Sequence, residues 1–386
     1  MKTQQVLQKW AFALLVALLS LSLFGLGLVG CAGTAGSDSG SKSTRASSVD
    51  TTATHSVVDM LGRTVEIPAD LSRVIGLGSS SLRMIAYLEQ VDKVVGVELA
   101  EQEDTVTCAY RHIYHEQFAQ LPVIGEGGSR GVTPNEEAII QAAPQLIIAS
   151  IDKDSADALA EKTRIPVLCV TLSDIVFDQV FYDNIELVGE VLGAEDRADA
   201  IITYVQESQA DLEQRSSQAG SQRPSAYAAG ISFRGGHGFA GTEAQFPPFE
   251  AVQVVNIADS AATTGAFDID LEQISAAQPD YIFVESSNFA LVKEDYDNNP
   301  GYFAGLDAVQ KNQVYSLISY RFYATNVELA LANCYQVGAQ AYPEAFADID
   351  PTAQLDKITT FFLGQGLSAD LAAEGYSFEQ VDLSKL

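Results

Sequence analysis

Apolar residues recur along this chain in two alternating periods. RVIGLG (73–78), VDKVVGVE (91–98), PQLIIAS (144–150) and PVLCV (166–170) are short apolar runs that read as buried strands. Between them lie stretches of helical period, the first being SSSLRMIAYL, with a serine at its head to cap it. Further along the alternation returns in SAYAAGIS (225–232), VVNIAD (254–259), DYIFVES (280–286) and QVYSLI (313–318). Helical patterns over 324–342 and 350–364 follow. A hairpin over 57–68, turning at Leu61 and Gly62, precedes the whole series. Near-continuous apolar strands separated by helices imply mostly parallel sheets covered on both faces.

One stretch divides the two series. Residues 194–217 carry Ala198, Ile201, Ile202, Val205 and Leu212 at helical spacing, with polar residues elsewhere. Glu195 and Asp196 open it and Arg215 closes it, the charge order that suits a helix dipole. Such a helix is about 35 Å long. The pattern predicts an α/β protein of two lobes, each a mostly parallel sheet covered by helices, bridged by this one long rigid helix. An internal repeat supports two lobes: shifting TPNEEAIIQAAPQLIIAS (133–150) by 135 residues sets Asn135 on Asp270, Glu137 on Glu272, Ile139 on Ile274, Pro144 on Pro279 and Ile147 on Ile282. The domain reading is a signal peptide over 1–31, a tether over 32–56, an N-terminal lobe over 57–193, the linking helix over 194–217, a C-terminal lobe over 218–345, and a C-terminal helix and tail over 346–386.

The N-terminus adds a location. Lys2 and Lys9 precede an apolar run from Ala11 to Val29, which ends in LVGC. Charged start, apolar middle and small-residue end make an export signal. The ending resembles a bacterial lipobox, which implies lipidation at Cys31 and a body anchored on the extracytoplasmic face of the cell membrane. An uncleaved membrane anchor is the alternative. Residues 32–56 are small and polar, as a flexible tether requires. Cys108, Cys169 and Cys334 form no metal-binding spacing and leave one possible disulfide open.

Charge narrows the partners. With 51 Asp and Glu against 22 Lys and Arg, the formal net charge is -29, which excludes a nucleic-acid footprint. Exposed arginines are correspondingly informative. Four candidate loops combine arginine with aromatic or glycine residues: Tyr110, Arg111, His112, Tyr114 and His115; Arg130 in GGSRG; Phe233, Arg234 and His237 in SFRGGHG; and Tyr320, Arg321 and Tyr323 in SYRFY. Arginine forks onto carboxylate or phosphate and stacks on flat rings. Tyr110, Arg111, Arg130, Phe233, Arg234, His237, Arg321 and Tyr323 are therefore the candidate ligand-binding set, for a cargo with anionic groups and flat or apolar surface. The four histidines show no spacing that demands a metal, and no hydrolase elbow, zinc-protease or nucleotide motif occurs, so neither a resident metal nor a cofactor nor catalysis is expected.

These residues, in order, resemble a known family. DMLGRTVEIP with SRVIGLG, the PNEEAI to PQLIIAS block, the long helix, LEQI with QPDYIFVE, and NPGYFAGLDAVQKNQVYSL are similar to the substrate-binding proteins of ABC importers for iron complexes, siderophores, haem and cobalamin. The resemblance covers about residues 57–345. It implies a periplasmic binding protein-like fold, a monomer that closes little on its cargo, and partners in an ABC permease and its ATPase. It also implies that Glu137 and Glu272, one on each lobe, dock onto permease arginines. The cargo expected on this resemblance is an iron chelate of siderophore or haem type. A metal ion or oxyanion bound directly, and a cell-surface hydrolase or oxidoreductase on the same scaffold, are the other readings.

Overall fold

Two parallel sheets carry the chain, and every ladder between their strands follows the apolar runs of the sequence. The computed structural model describes residues 53–386 apart from 129–130, 173–175, 221–222 and 262. The export signal, Cys31, most of the tether and Arg130 lie outside the described residues.

The N-terminal lobe holds β3 (Val74–Leu77), β4 (Leu146–Ala149) and β5 (Val167–Cys169) in that spatial order, all parallel. All three strands are buried along their length, which is why they read as continuous apolar runs rather than as alternations. Helices α1 (Ser81–Tyr87), α2 (Ala109–Phe118), α3 (Glu136–Ala142), α4 (Lys153–Thr163) and α5 (Gln179–Leu192) belong to this half. The hairpin β1 (Thr54–Val58) and β2 (Thr64–Pro68) precedes it, so pairing starts inside the segment expected to be tether. Gly62 turns the hairpin at φ 74°.

Three expectations for this lobe are corrected. Residues 91–98 do not form a ladder strand: Val91–Lys93 is one tight 3-10 turn, and only single bridges follow, at Val74 with Val94 and Val97 with Val123. The serine before α1 does not cap it, because Ser80 sits at φ 75° and bonds no helix N–H through its side chain. The stretch from Tyr110 to His115 is helical, within α2, rather than a loop.

Helix α6 (Glu195–Gln218) is the predicted link. It buries Ala198, Ile201, Val205, Ser208, Leu212 and Ser216, while Ile202 stays half-buried. It is not a bare rod: α5 and the long helix α12 (Val327–Ala341) pack along it. Arginines fasten both ends. Arg197 donates to the carbonyls of Tyr87 and Phe361, and Arg215 pairs with Asp211 and Asp348.

The C-terminal lobe orders its sheet β11-β10-β6-β8, again all parallel, with β6 (Ser225–Ala229), β8 (Val255–Asn256), β10 (Tyr281–Glu285) and β11 (Val314–Leu317). An antiparallel pair that no sequence pattern announced, β7 (Gly241–Ala244) with β9 (Gly265–Asp268), stands beside it. Helices α7 (Pro247–Ala251), α8 (Leu271–Ala277), α9 (Phe289–Asn298), α10 (Pro300–Ala304) and α11 (Asp307–Gln310) fill the intervals. The internal repeat is physical. Ile139 and Ile274 are fully buried on α3 and α8, Ile147 and Ile282 lie in β4 and β10, and both helices end on a left-handed residue, Ala143 and Gln278.

The last segment stitches the halves together. Helix α13 (Pro351–Leu363) packs on α12 and reaches across to α1 and α2, and α14 (Ser368–Ala373) follows it. The tail then returns to the C-terminal sheet: Ser316 N–H donates to Glu379 O, and Val381 N–H to Val314 O at 2.8 Å. Val381 and Leu383 seal the smaller core of that lobe beside Val314. Cys108, Cys169 and Cys334 are buried and free. Among the described residues no helix is long and apolar enough to cross a membrane. Because Leu383 is buried in that core, Leu383→Ala is expected to lower unfolding stability by about 2–4 kcal/mol, measured by urea denaturation, whereas the same change at the exposed neighbour Ser384 leaves it unaltered.

Candidate functional site

The chemistry gathers where the strands of both sheets point their carboxyl ends, around the segment that follows β11. That segment, Ser319 to Thr325, runs with Tyr323 and Ala324 at φ 54° and 68°, a left-handed backbone that non-glycine residues seldom adopt. It is held from both sides. From its own lobe, the Asn326 side-chain amide donates to the carbonyls of Tyr320 and Phe322. From the other lobe comes Arg83 on α1, only 2% exposed, whose guanidinium donates to the carbonyls of Phe322 (3.2 Å), Tyr323 (2.7 Å) and Thr325 (3.0 Å) and to Ser80 Oγ. Its charge faces Glu328 on α12, whose carboxylate accepts from the Tyr87 hydroxyl. Burial pushes the Glu328 carboxyl above its ordinary range.

A second buried group continues this one. Glu101 accepts from the Tyr110 hydroxyl (2.6 Å) and from Arg111 Nε (2.7 Å). The Arg111 guanidinium, 1% exposed, lies over the Tyr323 ring at 4.4 Å and near Phe322 at 5.7 Å. Its Nη2 is buried and carries no hydrogen-bond partner among the described residues. Glu98 accepts from Gly78 N–H and from the Tyr323 hydroxyl, both at 2.8 Å. The turn after β3 needs glycine there: a Cβ on Gly78 would meet Ser150 Oγ at 2.6 Å, and φ is +78°. Burial raises the carboxyl pKa of Glu98, and burial followed by the charge of Glu98 raises the Tyr323 phenol.

Two adjoining cavities open on this framework. One, of about 570 Å³, is lined by Ser79, Leu99, Arg111, Gly127 and Tyr323 among others. The second, of about 710 Å³, is lined by Ser232, Phe233, Arg234, Glu243 and Arg321. Phe322 and Ala324 line both. The cleft therefore has an arginine and aromatic faces on each wall, with Phe322 between.

The predicted residues land unequally. Arg111, Phe233, Arg234, Arg321 and Tyr323 line the cavities. Tyr110 does not; it is fully buried and acts from behind, through Glu101. His237 also lies off both walls: its ring stacks on Phe233 at 3.7 Å and bonds Asp268 and the Phe233 carbonyl. Arg321 is bound to Glu243 and lies over the Tyr320 ring at 5.0 Å. Glu137 and Glu272 are exposed in the first turns of α3 and α8, each two residues past a capping side chain, Asn135 and Asp270. Among the described residues no group of three or more His, Cys, Asp or Glu is placed to hold a metal ion. Sequence reasoning passed over Arg83, Glu98, Glu101, Glu243 and Phe322. Arg83 alone left a signal, a charge set inside an otherwise apolar helical run.

The sequence profile described as periplasmic binding protein matches residues 74–320. The chain belongs to that family. A curated relative, the uncharacterized ABC transporter substrate-binding lipoprotein YvrC of Bacillus subtilis (strain 168), is 24% identical over 208 residues, which are 53% of this chain and 57% of that protein. The alignment thus spans little more than half the length of that relative. Among solved structures, a periplasmic solute-binding protein from Veillonella parvula DSM 2008 aligns with a TM-score of 0.66 at 15% identity, over 82% of this chain and 95% of that one. The TroA-like periplasmic binding protein FepB from Veillonella parvula aligns at 0.65 and 22% identity, over 85% and 99%. The molybdate-bound MolA of Haemophilus influenzae aligns at 0.61 and 18%, over 81% and 98%. At these identities the likeness is one of fold, and it places this family member among two-lobed α/β binding proteins.

Two consequences can be measured. Arg83→Met removes three bonds to the loop and leaves Glu328 buried without its cation, so unfolding stability is expected to fall by about 3–5 kcal/mol in guanidinium titrations. Glu98 is the pH-sensitive counterpart. Its folded pKa lies above the ordinary 4.5, so the protein binds a proton on folding and that share of stability is present below pH 4.5 and is lost as pH rises through the folded value. Glu98→Gln keeps both acceptor contacts without the charge. Its stability relative to the unaltered protein is expected to improve as pH rises from 4.5, read by denaturant midpoints along a pH series.

Proposed function

We propose that the protein is a lipid-anchored extracytoplasmic binding protein that captures an iron chelate bearing anionic groups between its lobes and delivers it to an ABC permease, without catalysis. The observation that carries this reading is the buried Nη2 of Arg111, unpartnered among the described residues, in one cavity, with Arg234 lining the adjoining one across Phe322. A buried guanidinium already fixed by Glu101 and stacked on aromatic rings is preorganised to bind an anionic oxygen with little further ordering. Cavities of about 570 and 710 Å³ suit a small organic complex rather than a bare ion. The LVGC ending at Cys31 and the lipoprotein relative support the anchor. The exposed glutamates at repeat-related sites, Glu137 and Glu272, support docking onto a permease made of two similar halves. The second reading, direct binding of an oxyanion, draws on the same arginines and on the molybdate held by MolA.

Native mass spectrometry and thermal shift of the full chain in detergent, against ferric siderophores, haem, corrinoids, free metal ions and oxyanions, separate these readings. The tightest ligand is expected to be a ferric chelate. Arg234→Ala is expected to weaken it about tenfold or more, the worth of one charge-assisted hydrogen bond. Unchanged affinity in both Arg234→Ala and Arg321→Ala would remove the cleft assignment. Glu137→Ala combined with Glu272→Ala is expected to reduce import in cells while cargo affinity stays the same; normal import would refute the docking role.

A further inference from the structure

His237 offers more than its position off the cavity wall suggests. Its Nδ1 lies 2.9 Å from Asp268 Oδ1 and its Nε2 lies 2.9 Å from the Phe233 carbonyl oxygen. A backbone carbonyl only accepts, and an ionised carboxylate only accepts. Both contacts are hydrogen bonds only when both ring nitrogens carry a proton. The Phe233 ring stacked on the imidazole, with 11° between planes, adds an aromatic face to the same cation.

The two sides of the ring differ in rigidity. From His237 onward the chain is locked. A Cβ on Gly241 would collide with His237 Cβ, a Cβ on Gly238 would collide with the Asp295 carboxylate, and Phe239 N–H donates to that carboxylate. Before it lies the tight turn from Phe233 to Gly235, closed by one backbone bond from Phe233 N–H to Gly235 O, with Arg234 and Gly235 exposed and both at positive φ. Ser232, Phe233, Arg234 and Gly235 line the C-terminal cavity. The imidazole is thus the tie between a fixed base and a cavity-lining turn.

We infer that His237, protonated on both ring nitrogens, is a positioning residue that presents Phe233 and Arg234 to the cargo, and that loss of its second proton releases the turn. This rests on the reading of the cavity as the cargo site. The charged groups around the ring set which proton leaves. Asp268 on β9 keeps the Nδ1 proton, because a carboxylate against a bare lone pair is the worse contact. Asp295 on α9 is engaged by Phe239 N–H, Glu285 on β10 accepts from Ser232 Oγ, and Arg234 sits in the turn itself. The Nε2 proton departs, and the Phe233 carbonyl then faces a lone pair. The tie holds on the acid side and loosens as pH rises.

The test is a histidine titration of the full chain in detergent micelles, labelled with ¹⁵N in histidine and in the backbone, across about pH 5 to 9. Only four histidines are present, so His237→Gln assigns the ring signals. At the acidic end both His237 nitrogens should resonate as N–H. With rising pH Nε2 should lose its proton while Nδ1 keeps its own, and the amides of Arg234 and Gly235 should shift with the same midpoint. In His237→Gln that amide midpoint should vanish. A ring with one N–H throughout, amides that stay still, or amides that titrate equally in His237→Gln would overturn the inference. If the titration links ring to turn but no ligand binds the cleft, the cargo reading fails and the tie stands.

Discussion

Everything near the cleft depends on one buried guanidinium. Arg83 crosses from the N-terminal lobe into a segment of the C-terminal lobe and satisfies three carbonyls there. A fully desolvated cation is tolerable only when its donors and its charge are matched. Loop carbonyls match the donors and Glu328 matches the charge, with Tyr87 holding the carboxylate. The arrangement binds the two lobes at the point where they approach, and it sustains the left-handed backbone at Tyr323 and Ala324.

The geometry of the cleft follows. With its backbone fixed from both sides, the segment after β11 places Phe322 between the two cavities and Tyr323 under Arg111. The two walls then differ in kind. On one, Arg111 is buried, paired with Glu101 and already in place. On the other, Arg234 is exposed on a short turn whose placement depends on neighbouring side chains. The linking helix, fastened by Arg197 and Arg215, and α13, which spans both halves, leave few degrees of freedom for one lobe to swing against the other. Relative motion is more economically located in the turn than in the lobes.

The doubled unit gives the molecule its other regularity. A capped helix, a left-handed stop and a central buried strand appear twice, 135 residues apart by sequence (143 to 278 at the stop), and each copy carries a glutamate out into solvent. Because cap, stop and strand are local devices, they survive in both copies even where the surrounding sheets differ, with three parallel strands in one lobe and four in the other among the described residues.

How much of this was legible before any fold was known follows from range. The strands of both sheets, the linking helix and the repeat are written in local periodicity, since a strand buried on both faces must be apolar throughout and a helix packed on one side must carry a stripe. The arginine loops were visible as rare cations in an acidic chain. Their partners were not. That Arg321 reaches the cavity already bound to Glu243 is decided 78 positions away. That Tyr110 supports a wall through Glu101 and that His237 turns back on Phe233 is decided by how the chain folds over itself, even within nine and four residues. Residues 91–98 failed as a strand because one 3-10 turn broke the ladder, and β7 with β9 went unseen because four-residue strands at a loop base leave no period. The sequence alone determined the linking helix, the strands of the two parallel sheets and that they form two similar halves, because those depend on neighbours along the chain. Tertiary structure alone decided which charges meet, above all that Arg83 closes on a loop about 240 residues later, because burial of a charge depends on what the rest of the chain brings to it.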